Sequence, residues 1–315
     1  VLSTPNGREL DRALESLEFM VSIVSYLNET TRHANLILPP TSSLERGHYD
    51  LAFHLLGVRN ITKYSPALFP KSEDARHDWQ ILLELQTRMS KGFLNDLKGK
   101  ALRSFVSPEL LLDLGIRFGP YGAKLNPFSM GLTLKKVKKA VHGIDLGPLK
   151  PCLPDRLRTK NKRIELAPAV FVADIDRVKA KFLQSELGHS NGELLLIGRR
   201  QLRSNNSWLH NSQRLVRGKS QCTILIHPTD AAHRNLKSGQ NVFVKSHVGS
   251  IELPVEISDE MMQGVVSIPH GWGHGRSGVQ LSVAQEHAGG SINDLTDNQS
   301  IDALSGPASF SAIRV

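Results

Sequence analysis

Cysteine is almost missing from this chain: Cys152 and Cys222 are the only two in 315 residues. Two thiols so far apart cannot by themselves hold a cysteine-ligated iron–sulfur cluster, so none is expected in this chain alone. A reduced interior is the simplest reading. Cys222, inside the apolar run Cys222-Thr223-Ile224-Leu225-Ile226, reads as a small buried hydrophobe, and Cys152, beside Pro151, as a loop thiol of no special chemistry. Long apolar runs are missing too. Nothing approaches the roughly 20 residues that a membrane helix needs. Residues 1–8 carry neither the basic start nor the apolar core of a secretory signal. The expectation is a soluble, cytoplasmic chain without a membrane span, with a leader on a longer parent left open.

Aromatic residues are scarce, at 6%, and this bears on the charge. A net charge of +9 and a pI near 9.6 invite a nucleic-acid partner. Yet the densest basic runs, Lys135-Lys136-Val137-Lys138-Lys139 and residues 156–163, lack the interleaved aromatics of a base-stacking platform. They read as a solvated helix face and a solvated linker, and nucleic acid is not an expected partner.

Complete catalytic signatures are also missing. Gly218-Lys219-Ser220 ends like a phosphate-binding P-loop, but Gln213 stands where its first glycine should be. No Ser/His/Asp order with a nucleophile elbow occurs. Gly273-His274-Gly275-Arg276-Ser277-Gly278 has the spacing of a dinucleotide fingerprint, but what precedes it is hairpin-like and Gly271-Trp272-Gly273 is too flexible for a helix start. It reads as a wide glycine-rich loop. His270 and His274 stand four apart, but on such a loop that spacing does not put them on one face, so no metal site is assigned.

What is present, 40% hydrophobic and 22% charged residues, is the composition of a globular protein long enough for two domains. Thr4 or Asn6 can cap a helix over residues 8–18, with Leu10, Leu14 and Leu17 on one buried face. An alternating stretch over 20–27 and an apolar one over 36–38, stopped by Pro39-Pro40, read as strands around a turn or helical segment at 29–34. Helix and strand at such intervals indicate a doubly wound parallel sheet. Further helices are expected over 74–89, from Pro108 after Ser107, over 133–141 ended by Gly143, and over 174–186 closed by Gly188. The Pro- and Gly-rich stretch 147–154 and the basic residues to Arg163 read as a surface connection, and residues 188–192 as another. After Gly192 the rhythm becomes short strands with little helix: 194–197, 223–227, 241–248, 251–257 and 265–269, with Gly249-Ser250 as a tight turn. That indicates a barrel or sandwich.

The first of these strands runs into Gly198-Arg199-Arg200. A planar guanidinium suits phosphate because it binds bidentately and stays charged. On those three residues alone, an exposed loop arginine is the favoured reading. The following Asn205-Asn206-Ser207-Trp208 adds amides and an indole N–H, neutral polar contacts for a heterocycle.

The order of residues 194–211, Ile226-His227-Pro228-Thr229-Asp230-Ala231-Ala232, residues 236–242 and residues 264–270 resembles the C-terminal cofactor-binding domain of the molybdopterin oxidoreductases. That family contains formate dehydrogenases, nitrate reductases and dimethyl sulfoxide reductase. Residues 1–7 and 28–40 are similar to its third, α/β domain. The resemblance covers about the first fifty and last hundred and twenty residues well, and 51–187 weakly. It implies an α/β plus β fold: over residues 1–187, part of a doubly wound Rossmann-like α/β domain with a helical insertion and linker, then a double-psi β-barrel over 188–315. It implies molybdopterin guanine dinucleotide, with Mo or W, in the full-length enzyme. By position, Gly198, Arg199, Arg200, Asn205, Asn206 and Trp208 inherit contacts to pterin and pyrophosphate, Asn293 the final cofactor contact, and Ser3 a place near the guanine nucleotide. The family holds its metal ligand and cluster cysteines in the earlier half. The implied partners are therefore the N-terminal part of the same enzyme and a small-molecule redox substrate, and no catalytic residue is assigned here. Two alternatives stay open: a stand-alone nucleotide- or partner-binding barrel without redox function, and a nicotinamide-dependent dehydrogenase using the 273–278 loop.

Overall fold

The computed structural model describes residues 1–89, 107–184 and 192–315, which group into two units. One comprises Val1–Ser22, Tyr26–Leu36 and Glu165–Val315, the other Ile23–Ser25 and Ile37–Ile164. The expected boundary at 187/188, the helix stop at Gly188 and most of the 188–192 connection lie outside the described residues.

Six strands build the sheet of the first unit: β1 (Leu195–Arg199), β2 (Ile224–Ile226), β3 (Asn241–Lys245), β4 (Ser250–Ile257), β5 (Val265–Pro269) and β6 (Ile313–Arg314). Their order is β6-β1-β5-β2-β4-β3. The β1/β5 and β2/β4 pairs are parallel and the other three antiparallel, giving a mixed sheet. In β4, Ile251, Leu253 and Val255 are buried and alternate with more open positions, as the two-residue period of a strand requires. They join Leu196, Ile226, Val266, Ile268 and Leu295 in one core. Each such side chain contributes about 1.5–3 kcal/mol when fully buried.

Two features of this unit depart from the sequence expectation. A helix, Pro228–His233, follows β2 directly: Pro228 stands in its first turn, and the His227 side chain caps it by accepting from Thr229 N at 3.1 Å. The turn between β3 and β4 is the four residues 246–249, with Ser250 already paired to Lys245. Ser246 makes it so, because its Oγ accepts from Val248 N and Gly249 N and donates to Leu295 O at 2.8 Å.

At the front, helix α1 spans Gly7–Glu15, and Asn6, not Thr4, caps it through Glu9 N. Its buried residues are Gly7 and Asp11, whereas Leu17 is exposed. The apolar face expected over 8–18 is displaced by charge pairing. Arg32 (2.8 Å), Arg276 (2.6 Å) and His33 (2.6 Å) all converge on the Asp11 carboxylate. The two expected strands contract to Val21–Ser22 and Leu36–Ile37, too short to display the strand order of a doubly wound sheet.

The second unit contains helices Asp78–Met89, Pro108–Phe118 and Leu134–Lys139, the last two capped by Ser107 and Thr133 as their sequences require. Lys136 does not sit on a solvated face: its Nζ donates to Ser129 O and Gly131 O at 3.0 and 2.8 Å. Cys152 is an exposed free thiol.

Candidate functional site

β1 delivers the arginine pair, and the structure separates the two. Arg199, the last residue of β1, turns its guanidinium onto protein oxygens: Ser267 O at 2.5 Å, Thr223 O at 2.8 Å, Thr223 Oγ1 at 2.9 Å and Gln221 O at 3.1 Å. It ties the residues leading into β2 to the middle of β5. Burial lowers its pKa from the ordinary arginine value. Arg200 is exposed and bonds the side chain of Asn206. Asn205 and Asn206 adopt left-handed φ values of 41° and 62°, a conformation Asn tolerates better than most residues. Trp208 is 80% exposed. Asn293 is fully buried and its Nδ2 donates to Leu2 O at 2.6 Å, which holds the backbone beside the exposed Ser3.

The glycine-rich segment 271–273 touches both groups of residues. Gly271 has φ 97°, and a Cβ there would lie 2.1 Å from Asn206 O. Gly273 has φ 118°, and its Cβ would meet Ser291 and Leu2 at 2.8 and 3.1 Å. This segment is held by close backbone packing; it is not the loose loop its glycine content suggests.

Between the two glycines, Trp272 is buried and stacks on His210, ring centroids 4.0 Å apart. His210 Nδ1 lies 2.8 Å from His274 Nε2, and His274 Nδ1 lies 2.7 Å from Glu29 Oε1. On the other side, His210 Nε2 lies 2.9 Å from Ser204 Oγ. The result is a buried polar chain, Ser204–His210–His274–Glu29, ending at a cavity of about 420 Å³. Gln201, Arg203, Ser204, His210, Arg217 and Trp272 line that cavity, and among the described residues no carboxylate does. Trp272 Nε1 and Ser291 Oγ are buried without a hydrogen-bond partner. No local motif announces the chain, because its members come from three distant stretches of sequence. His270 takes no part in it and packs edge-on against Phe310. Cys222 is buried and its thiol is pushed up to about 11 by burial, which keeps it unreactive.

Burial, then the neighbouring His274, push His210 down to about 4 from its ordinary 6.5, against smaller opposing effects of Gly271 and Glu29. The unfolded chain therefore takes up a proton near pH 6.5 that the folded chain refuses until about pH 4. Stability should fall by about 2–3 kcal/mol as pH drops through that window. Urea midpoints at pH 7, 5.5 and 4 check this. A His210→Asn variant losing as much as the unmodified chain would show that His210 is not responsible.

The mixed sheet, the basic and amide-rich loop that follows β1 and the cavity with arginines in its wall form an arrangement whose chemistry suits an anionic, heterocyclic group. Residues 194–314 match the family described as the molydopterin dinucleotide binding domain. The F420-dependent formate dehydrogenase subunit alpha of Methanocaldococcus jannaschii is 24% identical over 282 residues, 85% of this chain and 37% of that protein. The assimilatory nitrate reductase catalytic subunit of Bacillus subtilis is 33% identical over 91 residues, 29% of this chain and 12% of that protein. In fold, acetylene hydratase from Pelobacter acetylenicus matches with a TM-score of 0.57 at 17% identity, covering 100% of this chain and 42% of that one. Residues 194–314 thus carry the molydopterin dinucleotide binding domain, and the chain is similar to molybdopterin oxidoreductases, among them formate dehydrogenase and nitrate reductase subunits. It spans well under half the length of these relatives. Among the described residues no helix is long and apolar enough to cross a membrane.

Proposed function

We propose that this chain is the C-terminal part of a molybdenum or tungsten bis-pterin guanine dinucleotide oxidoreductase, and that its work is to bind the dinucleotide. The observation that carries this reading is the cavity inside the matched domain, with its arginines and, among the described residues, no carboxylate in its walls. Such a wall suits an anion bearing a polar ring. Arg200, Asn205, Asn206 and Trp208 do not line that cavity; they flank its lining stretch 201–204 and in this reading hold the part of the group that extends beyond it, with Gly198 at the base of the loop. Arg199 holds the loop's base through backbone carbonyls. Asn293 positions the backbone next to Ser3, which approaches the nucleotide end. When bound, the metal–pterin group supplies the redox chemistry, while the protein supplies position, burial and hydrogen bonding.

The same reading makes residues 1–187 part of a doubly wound α/β domain and 188–315 a double-psi barrel. Its partners are the N-terminal part of the enzyme and a small redox substrate, and its place is the cytoplasm, in keeping with two unpaired cysteines. Limited proteolysis should cut first within 147–163 and 188–192 and leave a resistant C-terminal barrel. Early cuts inside 223–269 would refute that division.

Hydrogen bonds to charged groups contribute on the order of 1.5–3 kcal/mol, about tenfold or more in affinity. In the reconstituted full-length enzyme, Arg200→Ala, Arg199→Ala and the Asn205→Ala/Asn206→Ala double variant should each lower cofactor retention by about tenfold. Asn293→Ala should do so more mildly, and Lys139→Ala, at an exposed lysine, not at all. Bound pterin is read by fluorescence after acid release. Equal occupancy in all of these proteins would remove the loop from the site.

A further inference from the structure

We propose that the Ser204–His210–His274–Glu29 chain has a fixed hydrogen-bond direction, set at its buried end, so that Ser204 meets the cavity as a hydrogen-bond acceptor and receives an N–H from the bound heterocycle. The ligand half of this inference rests on the cofactor reading above.

The direction follows from donor and acceptor inventories. A carboxylate oxygen only accepts, so the 2.7 Å contact to Glu29 Oε1 places a proton on His274 Nδ1. We take that to be the only ring proton of His274, so that its Nε2 is bare and accepts from His210 Nδ1 at 2.8 Å. That leaves His210 Nε2 bare, and it accepts the Ser204 hydroxyl proton at 2.9 Å. Ser204 has only one proton to give. The competing acceptor, Gln201 Oε1, is 3.4 Å away, too long to win it. The Ser204 lone pairs are therefore what remains for a ligand.

His274 and Glu29 are buried, and both ring nitrogens of each histidine have a partner, so neither ring can flip without leaving a buried polar atom unpaired. Stacked Trp272 fixes the plane of His210. Ser204, His210, His274 and Glu29 thus act as positioning residues. They select a ring edge carrying N–H, such as the amide and amino edge of a pterin, over one that only accepts.

The test uses the full 315-residue chain with nitrogen-15-labelled histidine, and free pterin as the probe. At neutral pH, His210 and His274 should each show a protonated Nδ1 and a bare Nε2. Glu29→Gln, of the same shape but without the charge, should turn His210 into a mixture of tautomers. Ser204→Ala should weaken pterin binding about threefold to tenfold, and Ser204→Thr, which keeps the hydroxyl, should restore it. His210 protonated on Nε2 in the unmodified chain, or a Glu29→Gln spectrum identical to it, overturns the direction. Equal pterin affinity in Ser204→Ala overturns the contact. Pterin that fails to bind the unmodified chain, with both tautomers as expected, overturns the cofactor reading and the ligand half while the hydrogen-bond order stands.

Discussion

Asp11→Ala is expected to destabilise the protein by about 3–5 kcal/mol at neutral pH, the cost of leaving buried charges without their partner. Asp11 is the hub of a network in which its own side chain is 12% exposed and those of Arg32, Arg276 and His33 are 16%, 15% and 5% exposed. Burial pushes its carboxyl up, but hydrogen bonds from Arg32, His33 and Arg276 outweigh that and hold it down at about 2. A carboxyl depressed on folding stabilises above its unfolded value of 3.8, and that stabilisation is lost as pH falls through about 2. The gap between Asp11→Asn and the unmodified chain should therefore close over that acid window. Urea titration followed by tryptophan fluorescence should show a lower midpoint at unchanged slope. A loss below about 1 kcal/mol for Asp11→Ala would mean the network contributes little beyond ordinary surface pairs.

The second large effect is expected at Gly271. Alanine there must accept φ 97° and place Cβ 2.1 Å from Asn206 O, which is backbone and cannot swing aside. A left-handed backbone costs a side-chain-bearing residue about 1–2 kcal/mol, and overpacking adds about 1–3. A total of about 3 kcal/mol or more is expected, with the Asn205–Asn206 turn displaced. Gly239→Ala separates the two contributions, since Gly239 has φ 84° but open space around it. Only the backbone cost should show there. Equal urea midpoints for the two variants would remove the steric part.

Much of the six-stranded sheet was legible because alternation along a strand leaves a direct mark. Residues 241–248, 251–257 and 265–269 lie on or overlap observed strands, and residues 194–197 on β1. Other features depend on what the fold brings alongside. Adjacent Arg199 and Arg200 are chemically alike in sequence, and only the carbonyls of Thr223, just before β2, and Ser267, within β5, distinguish the brace from the exposed arginine. The apolar spacing of Leu10, Leu14 and Leu17 was a true pattern, yet Asp11 buries because two arginines and a histidine reach it from residues 32, 276 and 33. His274 looked like a member of a loose glycine loop; its partners, His210 and Glu29, lie 64 and 245 residues away in the chain. Pro228 after an apolar run marked the end of a strand, and equally the first turn of a helix.

The stitching of the first residues to the last has a consequence for how the protein is made. Asn6 N donates to Thr296 O at 2.9 Å, Asn293 donates to Leu2 O, and Arg8 pairs with Asp294. A ribosome delivers residues 2–8 long before 293–296 exist. Until then α1 has no seat, and its buried carboxylate still lacks Arg276. Closure of this unit therefore waits on nearly the whole length of chain, a non-local assembly of the kind that folds slowly and leaves early segments open to chaperones.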